Sequence, residues 1–440
     1  MPIRNFGSIC SGIEAASFTL TPMGINPLWL SEIAEYPNRF LAQKYPEYPN
    51  LGDMSNIPDL IKNSQIPAPD LLVGGTPCQA FSLAGWRNGV NDERGQLTLK
   101  YIDIINAIDA KRKERGEGQA LFFWENVEGA LTDKTNAFGC FLAGLAGIEE
   151  PIEVSRFKSA GVLHGTLRNI AWRVLDAKYF GVPQQRKRVY VLGGGTDFYP
   201  ENILFEIGDK FQDPYKLNDS QHNHTMNLFG IQEHQISQEN IRELCREING
   251  HEIEVFRCYS DCLYAAYGTK WNGNAAAFNG SLFISQNGRL RRLTPIECER
   301  LMGFPDNYTS IANPRLTNRY QATGNSWAVP VIKWIMNRLI SEVNEGNKLL
   351  KVKLPHPYTT TKKYNLYLFD DFTYIDGQYL NASPSCYNYI LTNMLDIVDT
   401  NPDEKLYISK AGCAGILRRK REHNSRMNPR LEKVLENCSV

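Results

Sequence analysis

The chain has 440 residues, 48 Lys+Arg against 48 Asp+Glu, and 42% hydrophobic and 11% aromatic residues. That length exceeds one ordinary core, so two or three units are expected, and the apolar and aromatic content excludes a disordered chain. The neutral balance excludes a nonspecific polycation. It still leaves local basic faces in QQRKRVY (184–190), GRLRRL (288–293) and GILRRKREHNSR (415–426).

The N-terminal MPIRNFGSICSG lacks the apolar core of a signal peptide, and no stretch is apolar enough over about 20 residues to span a membrane. Ten cysteines are scattered without a framework spacing, so a cytoplasmic protein with reduced thiols is expected. Cys258 and Cys262 with His222 or His224 are too loosely spaced for a zinc site, and no metal is expected.

In chain order, NPLWLSEI reads as a strand and YPNRFLAQKYP as a helix. DLLVGG and ALFFWENV read as strands, TLKYIDIINAIDAKRK as a helix and RVYVLGGG as a further strand. This alternation predicts a doubly wound α/β sheet with its ligand at the carboxyl ends of the strands. Gly12, Cys78 and Glu125 fall on turns after such strands and are expected to converge. The first domain is expected over 1–196. Over 197–288 periodicity fades into short strands and turns, a second domain. Helical signals return over 289–345, with Thr294 as cap and Gly303 as stop of TPIECERLMG. Residues 352–440, aromatic-rich and then basic-helical, read as an appended unit.

Cys78, in TPCQAFSLAG, follows Pro77 in a glycine-flanked turn at a strand exit. The ordinary alternative is a buried, inert thiol. A cysteine hydrolase needs a histidine base, and His164, alone in the first half, carries no special signal. A thiol beside the Glu125 carboxyl suits addition across a heterocyclic double bond. Attack at C6 of cytosine, with Glu125 holding N3 and the exocyclic amine, makes C5 an enamine carbon able to accept a methyl group. A thiol ionises near pH ~8.5, and a nearby cation such as Arg188 lowers this. Arg186 and Arg188, two apart on a strand, are expected to share a face.

TPCQAFSLAG, ENV, VPQQRKRVYVLG, RRLTPIECERLMGFPDNY and YQATGNSWAVPV follow one another over residues 3–340, and together they resemble the DNA (cytosine-5)-methyltransferases. The resemblance implies a Rossmann-like S-adenosylmethionine-dependent methyltransferase sheet, a smaller, irregular, mainly-β target recognition domain at 197–288, and a C-terminal α-containing extension. It makes Cys78 the nucleophile and Glu125 the catalytic carboxyl, with Arg186 and Arg188 lining the cytosine pocket. It implies S-adenosylmethionine as methyl donor, held by Cys10, Gly12 and Ile13 of the glycine loop, Glu32 on the ribose, Ile33 on the adenine, and Asp53 with Met54. Pro77 and Leu97 lie near the donor, and Asn325 and Ser326 close its pocket. The chain departs from the family at Cys10, usually aromatic, and at Glu14 and Ala15, usually glycines. Glu14 either bonds the donor's ammonium or points away.

Cytosine in a duplex must be extruded before its ring is reached. The family's closing loop corresponds to Ala80–Gln96, with Trp86 and Arg87 as DNA contacts. Lys270, Asn272 and Asn274 are nominated to read bases. The partner implied is double-stranded DNA, acted on by a monomer. A restriction endonuclease is a functional partner compatible with the family, without a bound complex. RNA cytosine methylation, and a non-catalytic DNA-binding regulator on the same fold, are the alternatives.

Overall fold

The computed structural model describes residues 2–76, 96–208, 243–268, 278–312, 315–344 and 351–439. These form two compact units: Met1–Asp176 with Lys187–Lys216 and Val331–Tyr387, and Ala177–Arg186 with Leu217–Pro330 and Asn388–Val440.

The first unit is built on a nine-stranded sheet. Its parallel part comprises β1 (Asn5–Ile9), β2 (Asn26–Trp29), β3 (Leu71–Gly74) and β4 (Leu121–Val127), in the order β4-β3-β1-β2. Helices connect these strands, including α1 (Ala15–Leu20), α2 (Glu35–Lys44), α3 (Ile57–Lys62) and α4 (Gln96–Glu114). LLVG of β3 is buried on both faces, as a central parallel strand requires. Ile9 pairs with Gly74 and Gly74 with Trp124, so β1 and β3 end level, while β4 continues to Val127 and carries Glu125 beyond them. A Cβ on Gly74 would stand 2.3 Å from Ile9 Cγ1, so only glycine permits this approach of β3 to β1.

The other half of the sheet departs from the doubly wound expectation. β5 (Ala160–Gly165), β6 (Asn169–Asp176) and β7 (Lys187–Gly194) are antiparallel to their neighbours. The cause is local: only a short hairpin connects β5 to β6, too short for a crossover helix. After the helix Val329–Val343 the chain adds two further antiparallel strands, Thr359–Thr360 and Tyr364–Phe369, the latter alongside β5. Gln378–Asn381 pairs with Glu206–Gly208 in a small three-stranded sheet. The interior is apolar and aromatic, with Phe122, Phe141 and Trp172 buried.

The second unit carries a four-stranded antiparallel sheet of Cys245–Ile248, His251–Val255, Phe283–Gln286 and Arg289–Arg292. Alternation divides its side chains between two cores. Ile253, Val255 and Ile284 join Leu301, Tyr320 and Leu395. Phe283 and Leu290 join Cys413, Ile416, Leu431 and Leu435 of the helices Lys410–Glu422 and Pro429–Ser439. Thr294 caps the helix Pro295–Leu301 in a capping box with Glu297, and Gly303 follows at φ 80°, as the sequence predicts. Arg291 and Glu297, both fully buried, form an ion pair at 2.8 Å, and Glu297 also accepts from the Asp399 amide.

The segment 352–440 is not one appended body. Its first part completes the sheet of the first unit, and its remainder belongs to the second unit. The apolar residues that tie it in, such as Leu366, Phe369 and Ile416, are buried against the unit each joins.

Candidate active site

The site builds up at the carboxyl edge of the parallel strands in the first unit. β1 leads into Cys10–Gly12, where Cys10 and Gly12 take left-handed φ values of 50° and 56°. The Gly12 amide donates to Glu32 Oε2 at 2.8 Å, and Glu32 Oε1 accepts from the amides of Ile33 and Ala34. Glu32, after β2, therefore ties the glycine loop to the next strand exit. Oε1 is filled by its two amides, and Oε2, with one donor, keeps a lone pair for a ligand hydroxyl. Ile33 beside it is 72% exposed, an uncovered apolar side chain next to a carboxylate.

Cys10 donates to Met54 Sδ across 3.8 Å, and burial with the nearby Glu32 carboxylate pushes its thiol up to about 12. That thiol is inert at neutral pH. Asp53 is exposed, and its Oδ1 caps the following turn by accepting from the Ser55 amide. Ile13 is buried, and Leu97, in the first turn of α4, packs against the core around Ile9, Tyr101 and Trp124.

Glu14 points inward, away from the loop surface. It is buried, adopts φ 54°, and caps α1 by accepting from the Ser17 amide at 3.0 Å. Its other oxygen accepts from Ser8 Oγ at 2.5 Å, and Ser8 in turn meets Ser11 Oγ at 3.0 Å. Ser11 Oγ accepts from the Ser31 amide, so the chain of bonds runs from Glu14 to the glycine loop and on to β2. A left-handed conformation suits glycine, the family's usual residue here, and costs a larger one about 1–2 kcal/mol. The cap and serine bonds offset that cost.

Burial raises the Glu14 carboxyl above its ordinary 4.5, against the lowering effect of its serine donors. The folded state then binds more protons than the unfolded one above pH 4.5, so this group's contribution to stability falls as pH rises. Glu14→Gln should flatten that slope in pH-dependent thermal unfolding. Glu14→Ala, which strands two serine donors, should cost about 1–3 kcal/mol. Unchanged unfolding in both variants would contradict this.

β4 brings Glu125 to the same edge. It lies within the strand, near its end, rather than on the turn beyond it. In the antiparallel register Glu125 faces Tyr190 and Val127 faces Arg188, so Glu125 and Arg188 are diagonal neighbours on one face. Arg188 Nε lies 3.1 Å from Glu125 Oε1, and Glu125 is 8% exposed. The ion pair fixes the orientation of the carboxyl.

The expected shared face for Arg186 and Arg188 is not realised. β7 begins at Lys187, and Arg186 belongs to the second unit. There the buried Arg186 guanidinium donates to the carbonyls of Leu263, Gly324 and Ser326 and to Cys262 Sγ. Arg186 thus holds the GNS segment by its backbone. Asn325 is the exposed last residue of the helix Leu316–Asn325, and Ser326 caps its C-terminus, whereas TGNS alone reads as a helix start.

Asn126 and Thr76 carry no signal strong enough to single them out. Asn126 Nδ2 donates to the Thr76 carbonyl at 3.1 Å, and Thr76 Oγ1 meets Trp124 Nε1 and Thr98 Oγ1. This network fixes the chain immediately before Pro77. Pro77, Cys78, Trp86, Arg87, Lys270, Asn272 and Asn274 lie outside the described residues, as do His222 and His224. Among the described residues no cluster of potential metal ligands forms, and no helix is long and apolar enough to cross a membrane.

Spodoptera frugiperda DNMT2 aligns at TM-score 0.46 and 19% identity, covering 76% of this chain and 99% of that one. A protein of Escherichia phage P1 named DNA N-6-adenine-methyltransferase is 32% identical, over 79% of this chain. The match spans 63% of that relative's own length. The type II methyltransferase M.HhaI of Haemophilus parahaemolyticus is 25% identical, over 77% of this chain and 95% of its own. The profile of C-5 cytosine-specific DNA methylases matches residues 4–341, and the chain belongs to that family.

Proposed function

We propose that the chain is a DNA (cytosine-5)-methyltransferase acting on a cytosine extruded from duplex DNA within one short sequence. The observation that carries the reading is the buried Glu125–Arg188 pair at the strand edge where the chain leads into Pro77 and Cys78. Glu125 holds N3 of the base and supplies it with a proton. Arg188 orients that carboxyl. The Cys78 thiolate adds to C6, which makes C5 nucleophilic. After methylation the N3 proton returns to Glu125, and loss of the C5 proton then expels the thiolate. Asn126, through the Thr76 carbonyl, fixes the last described residue before Pro77 and Cys78.

S-adenosylmethionine supplies the electrophilic methyl group. The residues present fit it: Glu32 Oε2 has a lone pair for a ribose hydroxyl, exposed Ile33 offers an apolar face for adenine, and the glycine loop is tied to Glu32. Glu14 faces the interior, so it supports that loop from behind rather than binding the donor's ammonium.

The test is methyl transfer from labelled S-adenosylmethionine to duplex DNA and to RNA, followed by base-resolution mapping. 5-Methylcytosine in one short duplex motif is the expected result. The phage P1 relative's name supplies a second reading, and N6-methyladenine in the map would establish it instead. Cys78→Ser should retain duplex binding and lose turnover. Normal turnover by that variant removes Cys78 from the mechanism.

A further inference from the structure

A cavity of about 530 Å3 lies within the second unit, bounded by Arg292, Thr317, Tyr320 and the stretch from Lys405 to Arg419. Its volume falls in the range of small-molecule sites. Among the described residues Arg292, Lys405 and Arg419 line it, and no aspartate or glutamate does. Tyr407, Leu406 and Ile416 add aromatic and aliphatic surface.

The charge pattern of the strand Arg289–Arg292 singles out one residue. Arg289 pairs with Glu404 and stacks on the Tyr407 ring at 4.0 Å. Arg291 pairs with Glu297. Half-buried Arg292 lines the cavity, and its guanidinium has no hydrogen bond or ion pair among the described residues. A partly desolvated guanidinium without a carboxylate is a poor device for stability and a good one for an anion. The helix Lys410–Glu422 begins at the same wall, where Ser409 and Gly412 line the cavity and Ser409 caps the helix. Its N-terminal amides add a second attraction for negative charge.

We propose that this cavity binds a nucleotide unit, its phosphate on Arg292 and its base against the Tyr407 wall. Guanidinium matches phosphate oxygens two at a time, and a base stacks on an aromatic surface without regard to sequence. The nucleotide is either part of a DNA strand or a free nucleoside monophosphate, and both present the same chemistry.

The experiment is calorimetric titration of the full chain with deoxycytidine monophosphate, inorganic phosphate and a short duplex. Wild type, Arg292→Gln and Arg292→Lys are compared. Wild type should bind the nucleotide more tightly than inorganic phosphate, and affinity should fall with salt. Arg292→Gln should weaken binding about tenfold or more, with partial recovery in Arg292→Lys. Its melting temperature should match wild type, since the side chain has no hydrogen bond or ion pair to lose among the described residues. If duplex displaces the nucleotide, and Arg292→Gln also weakens duplex binding, the source is the strand. If duplex binding ignores both, the source is a free nucleotide. No binding of nucleotide, or equal binding by wild type and Arg292→Gln, overturns the proposal. Binding is read without turnover, so its failure is separate from failure of the cytosine reading.

Discussion

Truncation after Asn344 is expected to abolish the soluble native fold rather than trim an accessory. The deletion removes Tyr364–Phe369, which pairs along the whole of β5, and Gln378–Asn381, which pairs with Glu206–Gly208. It takes the buried side chains of Leu366, Phe369 and Leu380 out of the first unit. Each such side chain contributes about 1.5–3 kcal/mol, and a domain's net stability is only about 5–15 kcal/mol. Arg173, fully buried, would also lose the carbonyls of Ser383 and Ser385 at 2.8 and 2.6 Å. The second unit would lose the helices whose Ile416, Leu431 and Leu435 pack with Phe283 and Leu290. Size-exclusion chromatography with thermal unfolding reads the outcome. A soluble truncated chain with a cooperative transition would show that the sheet closes without its last strands.

Glu125→Gln is expected to lower kcat by about 10²- to 10⁴-fold, the usual contribution of a positioned acid or base. The substitution keeps the shape but removes the proton and the ion pair with Arg188. KM for S-adenosylmethionine should change little, because the residues proposed to hold the donor are Glu32 and Gly12, which are bonded to each other and not to Glu125. Single-turnover methylation beside donor binding measures both. Equal loss of donor binding and rate would point to a disturbed β4 rather than to lost chemistry.

Much of this site is legible in short local stretches. A strand exit, a tight turn and a polar residue are adjacent in sequence, so Gly12, Glu32 and Glu125 could be placed at one edge of a sheet from pattern alone. The bond from the Gly12 amide to Glu32 follows from that placement. The roles of Glu14 and Arg186 do not. A glutamate in a glycine loop can face ligand or interior with the same neighbours in sequence, and only Ser8 and Ser17 around it decide. Arg186 and Arg188 look equivalent two residues apart. Their fates separate because the strand begins between them, at Lys187.

The sequence by itself determined much of the parallel half of the sheet, the Thr294 cap of the helix Pro295–Leu301 and the order of motifs that marks the family. These depend on periodicity and on contacts between near neighbours, which a linear reading contains. The tertiary structure decided where residues 352–440 belong. A strand at an antiparallel edge and a helix over a sheet are chosen by partners roughly 130 to 200 residues away, as in Leu366 with Leu163 and Ile416 with Phe283. Such pairings leave only a generic apolar pattern in the chain, so several docking sites satisfy it until the folded surfaces select one.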